Sequence, residues 1–145
     1  MRENNTVTEV ARIAIVDDDK SMREAISTLI GSIGLIAEEF SSAEDFLDSG
    51  RSQDFDCLIL DVRMPGLSGL ELQRLLAADR RPVPIVFITA HYNEAERKRA
   101  IEAGAVDFLS KPFTEQELVS AIGASLAIHK EITNDPWQGQ HLNSV

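Results

Sequence analysis

The chain has 145 residues, 43% of them hydrophobic, which suits one domain with a substantial core. Its net charge of −10 argues against a nucleic-acid-binding surface, because such surfaces need basic patches to neutralise phosphates. A single cysteine excludes an internal disulfide, and no apolar run has the length of a signal peptide or a membrane span, so we expect a reducing, cytoplasmic location without membrane contact.

Short apolar runs alternate with helical patterns along the chain. Residues 1–11 are polar and predict a loose N-terminal arm. Five strands are predicted, at residues 13–16, 35–40, 57–60, 85–88 and 106–109. A helix is predicted after each strand, beginning near residues 20, 41, 69, 93 and 114. Residues 131–145 are turn-rich and mostly polar, and we expect a tail without a fold of its own.

Capping residues support several of these helix starts. Asp19 is positioned to cap the first helix. Ser68 and Glu71 have the spacing of a capping box, as do Thr114 and Glu117. The fivefold β-α alternation predicts an α/β fold over residues 12–130, a flavodoxin-like, doubly wound parallel sheet. The expected strand order is 2-1-3-4-5, with the second strand at an edge.

Carboxylates end the first and third predicted strands. Asp17 and Asp18 follow the first strand, and Asp61 ends the third, before a sharp turn at residues 64–66. These strands are neighbours in the expected order, and open α/β sheets bind ligands at this edge. A carboxylate there can be a nucleophile, a metal ligand or a helix cap. Crowded carboxylates favour a hard divalent cation, and Mg²⁺ suits such a site with a phosphate oxygen nearby.

The fourth and fifth strands place a hydroxyl group and a cation at the same edge. Thr89 and the backbone N–H of Ala90 can donate to phosphoryl oxygens, and Lys111 can pair with another. With Asp61 as the oxygen nucleophile, these groups describe phosphoryl transfer that produces an acyl phosphate. The residues alone therefore predict a phosphorylation site that depends on a metal ion.

These motifs resemble the receiver domain of two-component response regulators. The resemblance covers about residues 12–130, and its motifs are Asp17-Asp18, Asp61 with Met64-Pro65-Gly66, Thr89-Ala90 and Lys111-Pro112. It is most similar to the FixJ type, which is usually joined to a helix-turn-helix output domain. The resemblance implies that Asp61 is the phosphoacceptor and that Mg²⁺, or Mn²⁺ in its place, is bound. Asp18 would be a direct metal ligand, Asp17 would act largely through water, and the backbone carbonyl of Arg63 would complete the set.

The resemblance also implies a switch and partners. Thr89 and Phe108 would be the switch pair, and the bond from Lys111 to Pro112 would be cis. A sensor histidine kinase or phosphotransfer protein would supply the phosphoryl group, and the domain would catalyse only its own phosphorylation and slow dephosphorylation. The face around strands 4 and 5 would then signal to a partner or output domain. The charged helix at residues 93–103 is most simply a solvated face, although receivers often use this side for a phosphorylation-dependent homodimer.

Three rival functions are less well supported by the residues. A phosphatase of the haloacid dehalogenase type needs Asp-x-Asp, but Arg63 follows Asp61 at that spacing, and no Gly-Thr follows residues 17–19. A flavodoxin-like cofactor binder would place a phosphate where three aspartates repel it. A docking module that has lost its chemistry would not retain every acidic, hydroxyl and lysine position. Cys57 lies inside an apolar strand and is predicted to be core, while His91 is predicted to be an exposed loop residue near the pocket.

Overall fold

The computed structural model describes residues 10–134 and contains five strands that alternate with helices. The strands are β1 (Arg12–Val16), β2 (Ile36–Phe40), β3 (Cys57–Asp61), β4 (Ile85–Thr89) and β5 (Asp107–Ser110). The helices are α1 (Lys20–Ser32), α2 (Ala43–Ser49), α3 (Gly69–Leu76), α4 (Glu94–Glu102) and α5 (Glu115–Asn134). A short 3₁₀ helix at Ser52–Asp54, which the sequence did not predict, leads into β3.

The strands form one parallel sheet in the order β2-β1-β3-β4-β5, which confirms the predicted topology. Every residue of the central strand β3 is buried, as its unbroken apolar run predicts. The edge strand β2 has a more exposed pattern and carries Glu38 and Glu39. Register pairs Val16 with Leu60, and Asp61 with Ile88, so the carboxyl ends of the central strands are level.

Two apolar layers hold the helices against the sheet. Successive side chains of a strand point to opposite faces, so Leu58 and Leu60 belong to one layer while Cys57 and Ile59 belong to the other. The first layer packs against α2, α3 and α4, and the second packs against α1 and α5. Full burial of each large aliphatic side chain contributes about 1.5–3 kcal/mol relative to exposure. The layers therefore provide a rigid base for the loops at the ends of the strands.

Side-chain caps define the beginnings of the helices as predicted. The carboxylate of Asp19 accepts from the backbone N–H groups of Ser21 and Met22. Ser68 and Glu71 form a complete capping box at α3. At α5, the Thr114 N–H donates to Glu117 at 2.8 Å, and the Glu117 N–H donates back to the Thr114 hydroxyl at 3.0 Å.

The last helix is longer than the sequence analysis predicted. It continues to Asn134, four residues past the expected boundary at residue 130. The segment between Gly123 and Pro136 contains neither glycine nor proline, so no helix breaker lies at residue 130. Residues 1–9 of the expected arm and 135–145 of the expected tail lie outside the described residues. None of the helices within residues 10–134 is long and apolar enough to cross a membrane.

Candidate functional site

Three carboxylates converge where β1 and β3 end. Ligand oxygens of Asp17, Asp18 and Asp61 all lie within 4.8 Å of one another. Asp17 is fully buried and Asp61 is 6% exposed, whereas Asp18 is exposed. The structure thus brings together the acidic residues that the sequence singled out, in an arrangement that could hold a divalent cation.

Both carboxylate oxygens of Asp17 have hydrogen-bond donors. The Asp19 N–H donates to Oδ1 at 2.9 Å, and the Lys111 ammonium donates to Oδ2 at 3.0 Å. The Arg23 guanidinium donates to the Asp17 backbone carbonyl at 2.8 Å and pairs with Glu39 on β2. These contacts fix the position of Asp17 and the direction in which its carboxylate points.

Lys111 joins the carboxylates of two strands. Its Nζ lies 3.0 Å from Asp17 Oδ2 and 3.8 Å from Asp61 Oδ2, and its side chain is mostly buried. Lys111 therefore contacts two of the three clustered carboxylates, and its single positive charge leaves a surplus of two negative charges when all three are ionised. Such a surplus is unfavourable in a partly buried site and would be relieved by a divalent cation.

The carboxyl group of Asp61 has a raised pKa, and burial is the main cause. The pKa of the Asp61 carboxyl is raised to about 7, mainly by burial and next by the nearby Asp17 charge, while Lys111 opposes both. Without a bound metal ion, Asp61 would thus be about half protonated near neutral pH. A positive charge beside it would favour the carboxylate, which is the nucleophilic form.

Two glycines shape the loop that follows Asp61. Gly66 has a φ of +78°, which favours glycine, and an added Cβ would overlap the Glu44 carboxylate. That carboxylate accepts from the Leu67 N–H at 2.8 Å. An added Cβ at Gly69 would overlap the backbone carbonyl oxygen of Asp61. The sequence analysis missed the role of Glu44, because no local signal links residues separated by 23 positions.

Thr89 and Lys111 end adjacent strands at the same edge. Thr89 pairs in register with Ser110, and its carbonyl accepts from the Lys111 N–H at 2.7 Å. The Thr89 side chain is buried, and its hydroxyl oxygen accepts from the His91 N–H at 3.0 Å. Ala90, which lies between Thr89 and His91 in the chain, is exposed. The predicted hydroxyl and cation thus lie at the edge that carries the carboxylates, and His91 is an exposed loop residue as predicted.

Phe108 packs between two aromatic rings. It is 6% exposed, and its ring centroid lies 5.9 Å from that of Phe87 and 5.9 Å from that of Tyr92. The Tyr92 hydroxyl donates to Glu94 at 2.5 Å, at the start of α4. The sequence analysis missed Tyr92, although an aromatic residue three positions after Thr89 was a usable signal.

Arg63 connects the loop after β3 to α4. Its guanidinium pairs with Glu96 at 3.2 Å, and half of its side chain is exposed. The bond between Lys111 and Pro112 is cis. Cys57 lies in the core as predicted, and burial raises the pKa of its thiol to about 12, so it stays protonated.

An open parallel sheet with an acidic cluster, a hydroxyl and a lysine at its carboxyl edge defines a flavodoxin-like receiver fold. The sequence pattern described as "Response regulator receiver domain" matches residues 13–123. That match covers more than half of the chain, and the protein belongs to this family.

Comparisons with individual proteins agree with this family membership. The chain is 50% identical over 116 residues to the response regulator protein TodT of Pseudomonas putida, covering 80% of this chain and 51% of TodT. Among solved structures, that of the response regulator StyR superposes with a TM-score of 0.83 at 42% identity, covering 93% of this chain and 68% of StyR. The FixJ-N structure gives a TM-score of 0.74 at 32% identity, covering 83% of this chain and 96% of that one. The chain spans about half the length of the curated relatives it matches.

Proposed function

We propose that Asp61 accepts a phosphoryl group from a histidine kinase or phosphotransfer protein, in a reaction that requires Mg²⁺ or Mn²⁺. The observation that carries the proposal is the convergence of Asp17, Asp18 and Asp61 with Lys111, which lies within 3.8 Å of the Asp61 carboxylate. Membership of the receiver family supports the assignment of Asp61 as the acceptor. The domain acts as a signalling device that catalyses only its own phosphorylation and slow dephosphorylation.

The donor atoms fit a hard cation, since Mg²⁺ binds through carboxylate and carbonyl oxygens and keeps several waters. Asp18 and Asp61 would bind it directly, together with the backbone carbonyl of Arg63. Asp17 would act largely through water, which agrees with its two oxygens already accepting from Asp19 and Lys111. When bound, the metal would supply positive charge beside the phosphoryl oxygens.

The chain's own residues would provide the nucleophile and fix the transferred group. An Asp61 oxygen would form the new P–O bond as the P–N bond of the donor phosphohistidine breaks, with the electron pair leaving on the imidazole nitrogen. The Thr89 hydroxyl, the Ala90 N–H and Lys111 would stabilise the phosphoryl oxygens. Because the Lys111 ammonium already lies beside the carboxylates of Asp17 and Asp61, it would have to move little to reach a phosphoryl oxygen on Asp61.

Phosphorylation would change the face formed by β4, β5 and α4. The Thr89 hydroxyl would donate to a phosphoryl oxygen, and any rotation of the side chain that this requires would move the hydroxyl relative to the His91 N–H, which donates to it at 3.0 Å. That bond lies in the loop that carries Tyr92, whose ring covers Phe108. A change at Thr89 would therefore alter the packing of Phe108, and the two residues would work as a switch.

The experiment is an intact mass measurement after incubation with acetyl phosphate and Mg²⁺. We expect one added phosphoryl group on the wild type, and none on Asp61→Asn or in the presence of a chelator. Asp48→Asn, an exposed carboxylate on α2, serves as the matched control and should still be modified. Absence of an adduct, together with no binding of beryllofluoride as a stable phosphoryl mimic, would refute the proposal.

A homodimer that forms on phosphorylation is the second part of the proposal. The exposed side of α4 carries charges of both signs, and Glu94 and Arg97 already pair there at 2.9 Å. Sedimentation with and without beryllofluoride would test it, with Arg97→Glu as the variant expected to weaken the dimer. A monomer under both conditions would contradict the homodimer, and this face would then signal only through other partners.

A further inference from the structure

Two adjoining cavities form a groove along α3 and α4. The larger cavity, of about 330 Å³, lies between the end of α3 and the amino ends of β4 and β5. The smaller cavity, of about 140 Å³, lies between the two helices. Gln73, Ala77 and Ala103 line both cavities, which therefore form one continuous surface. The residues that line this groove differ from those of the phosphorylation site.

The larger cavity is an apolar pocket with a partly open side. Leu76, Val83 and Ile85 line it and are each at most 5% exposed, so its floor is part of the core. Ile128, on α5, also lines it and is 40% exposed. Ligand pockets in proteins have volumes of about 300–1,000 Å³ and mainly apolar walls. The larger cavity therefore has room for a bulky apolar side chain of a partner.

A buried amide stands where the two cavities meet. Gln73 is 6% exposed, and its Nε2 donates to the carbonyl of Ala100 on α4 at 3.0 Å. Within residues 10–134, no group donates a hydrogen bond to the Gln73 Oε1. Buried polar atoms are nearly always hydrogen-bonded. A peptide in the groove would offer backbone N–H donors to this oxygen, whereas a purely apolar ligand would not.

Positive charge borders both cavities. Arg74 and Arg99 are exposed and line the smaller cavity. Arg80 and Arg81 are exposed and directly precede Pro82, which lines the larger cavity. Among the described residues, no carboxylate forms an ion pair with any of these four arginines. The chain as a whole has a net charge of −10, so this group of unpaired cations favours a partner with negative charge.

We propose that the groove along α3 and α4 is a docking site for an acidic peptide segment of a partner protein. A bulky apolar side chain of the segment occupies the larger cavity, and a backbone N–H donates to Gln73. Carboxylates on either side of the apolar residue pair with the four arginines. The interaction does not require phosphorylation of Asp61, and it goes beyond the proposed function as a phosphoacceptor.

Fluorescence anisotropy with a labelled synthetic peptide tests the proposal. The probe has blocked ends and the sequence Asp-Glu-Leu-Phe-Glu-Asp, and the unphosphorylated wild-type protein is titrated into it in the presence of a chelator. We expect saturable binding that weakens as salt is added. A second peptide, with alanine in place of the leucine and the phenylalanine, should have a dissociation constant about tenfold higher or more, because it cannot fill the apolar cavity.

Two pairs of variants locate the binding site. Ala77 is exposed and lines both cavities, so Ala77→Phe should block the groove, whereas Ala78→Phe changes an exposed neighbour that lines neither cavity. Arg99→Ala should raise the dissociation constant about fivefold. Lys98→Ala is its matched control, because Lys98 is exposed on the same helix and lines neither cavity.

Absence of binding at millimolar protein concentration would overturn the proposal. Equal affinity for the alanine peptide, or for a single-stranded oligonucleotide of the same charge, would also overturn it, because electrostatic attraction alone would then explain the binding. Equal effects within each pair of variants would place the peptide elsewhere on the protein. All of these measurements use unphosphorylated protein, so their failure would leave the phosphoacceptor function of Asp61 unaffected.

Discussion

Replacing Asp61 by asparagine should stabilise the metal-free protein, and the gain should grow with pH. Burial, with the charge of Asp17, raises the pKa of Asp61 from its ordinary 3.8 to about 7 in the folded chain. Between these two values the folded protein holds a proton that the unfolded chain has released. The stability contributed by Asp61 is therefore fully present at low pH and is lost as the pH rises through this window. Asparagine has a similar shape and does not titrate.

The magnitude follows from the size of the shift. Each pKa unit corresponds to about 1.4 kcal/mol, so a shift of about three units sets a ceiling of about 4 kcal/mol. Between pH 5 and pH 8 the wild type should lose about 2.5 kcal/mol relative to the variant. The pKa of about 7 already includes the opposing effect of Lys111, so the loss of this partner in the variant needs no separate correction.

The assay is urea unfolding with a chelator present, at pH 5 and at pH 8. The quantity to compare is the difference in the free energy of unfolding between Asp61→Asn and wild type. Asp48→Asn, which removes one exposed negative charge from α2, is the control for the change in net charge. The reasoning would be refuted if the difference changed by less than about 0.5 kcal/mol, or if it grew as the pH fell.

Three further predictions concern the metal site, a loop glycine and a helix cap. Adding Mg²⁺ at ten times its dissociation constant should raise the free energy of unfolding of the wild type by about 1.4 kcal/mol, but not that of Asp18→Asn. Equal increases in both proteins would place the cation elsewhere. Gly69→Ala should lower the free energy of unfolding in urea by about 2 kcal/mol or more, because the added Cβ would overlap the Asp61 carbonyl. Gly31→Ala is the control, and it should be neutral or stabilising because the space around Gly31 is open. Thr114→Ala should cost about 1 kcal/mol by removing the α5 cap, and a loss no larger than that of Ser120→Ala would contradict this.

Local signals explain why most elements could be predicted. The strands are short apolar runs, and the helices begin at Asp19, Ser68 and Thr114, whose side chains bond to backbone groups two or three residues away. Such contacts depend on neighbours in the chain, so they can be found in the sequence. The end of α5 was missed because no breaker marks residue 130 and the helix continues as far as Asn134.

The sequence by itself determined which groups lie at the ends of the strands. Asp17, Asp18, Asp61, Thr89 and Lys111 each follow or end an apolar run. Given a parallel sheet, these residues had to lie on one edge. The family resemblance supplied roles for Arg63 and Phe108 that no spacing in the chain could assign.

Only the tertiary structure decided how these groups interact. Lys111 pairs with Asp17, which lies 94 residues away, rather than only with Asp61. The burial that raises the pKa of Asp61 comes from packing on all sides of β3, and the Tyr92 ring over Phe108 joins a loop to a strand. These properties depend on distances between remote parts of the chain, and such distances exist only after the sheet has formed.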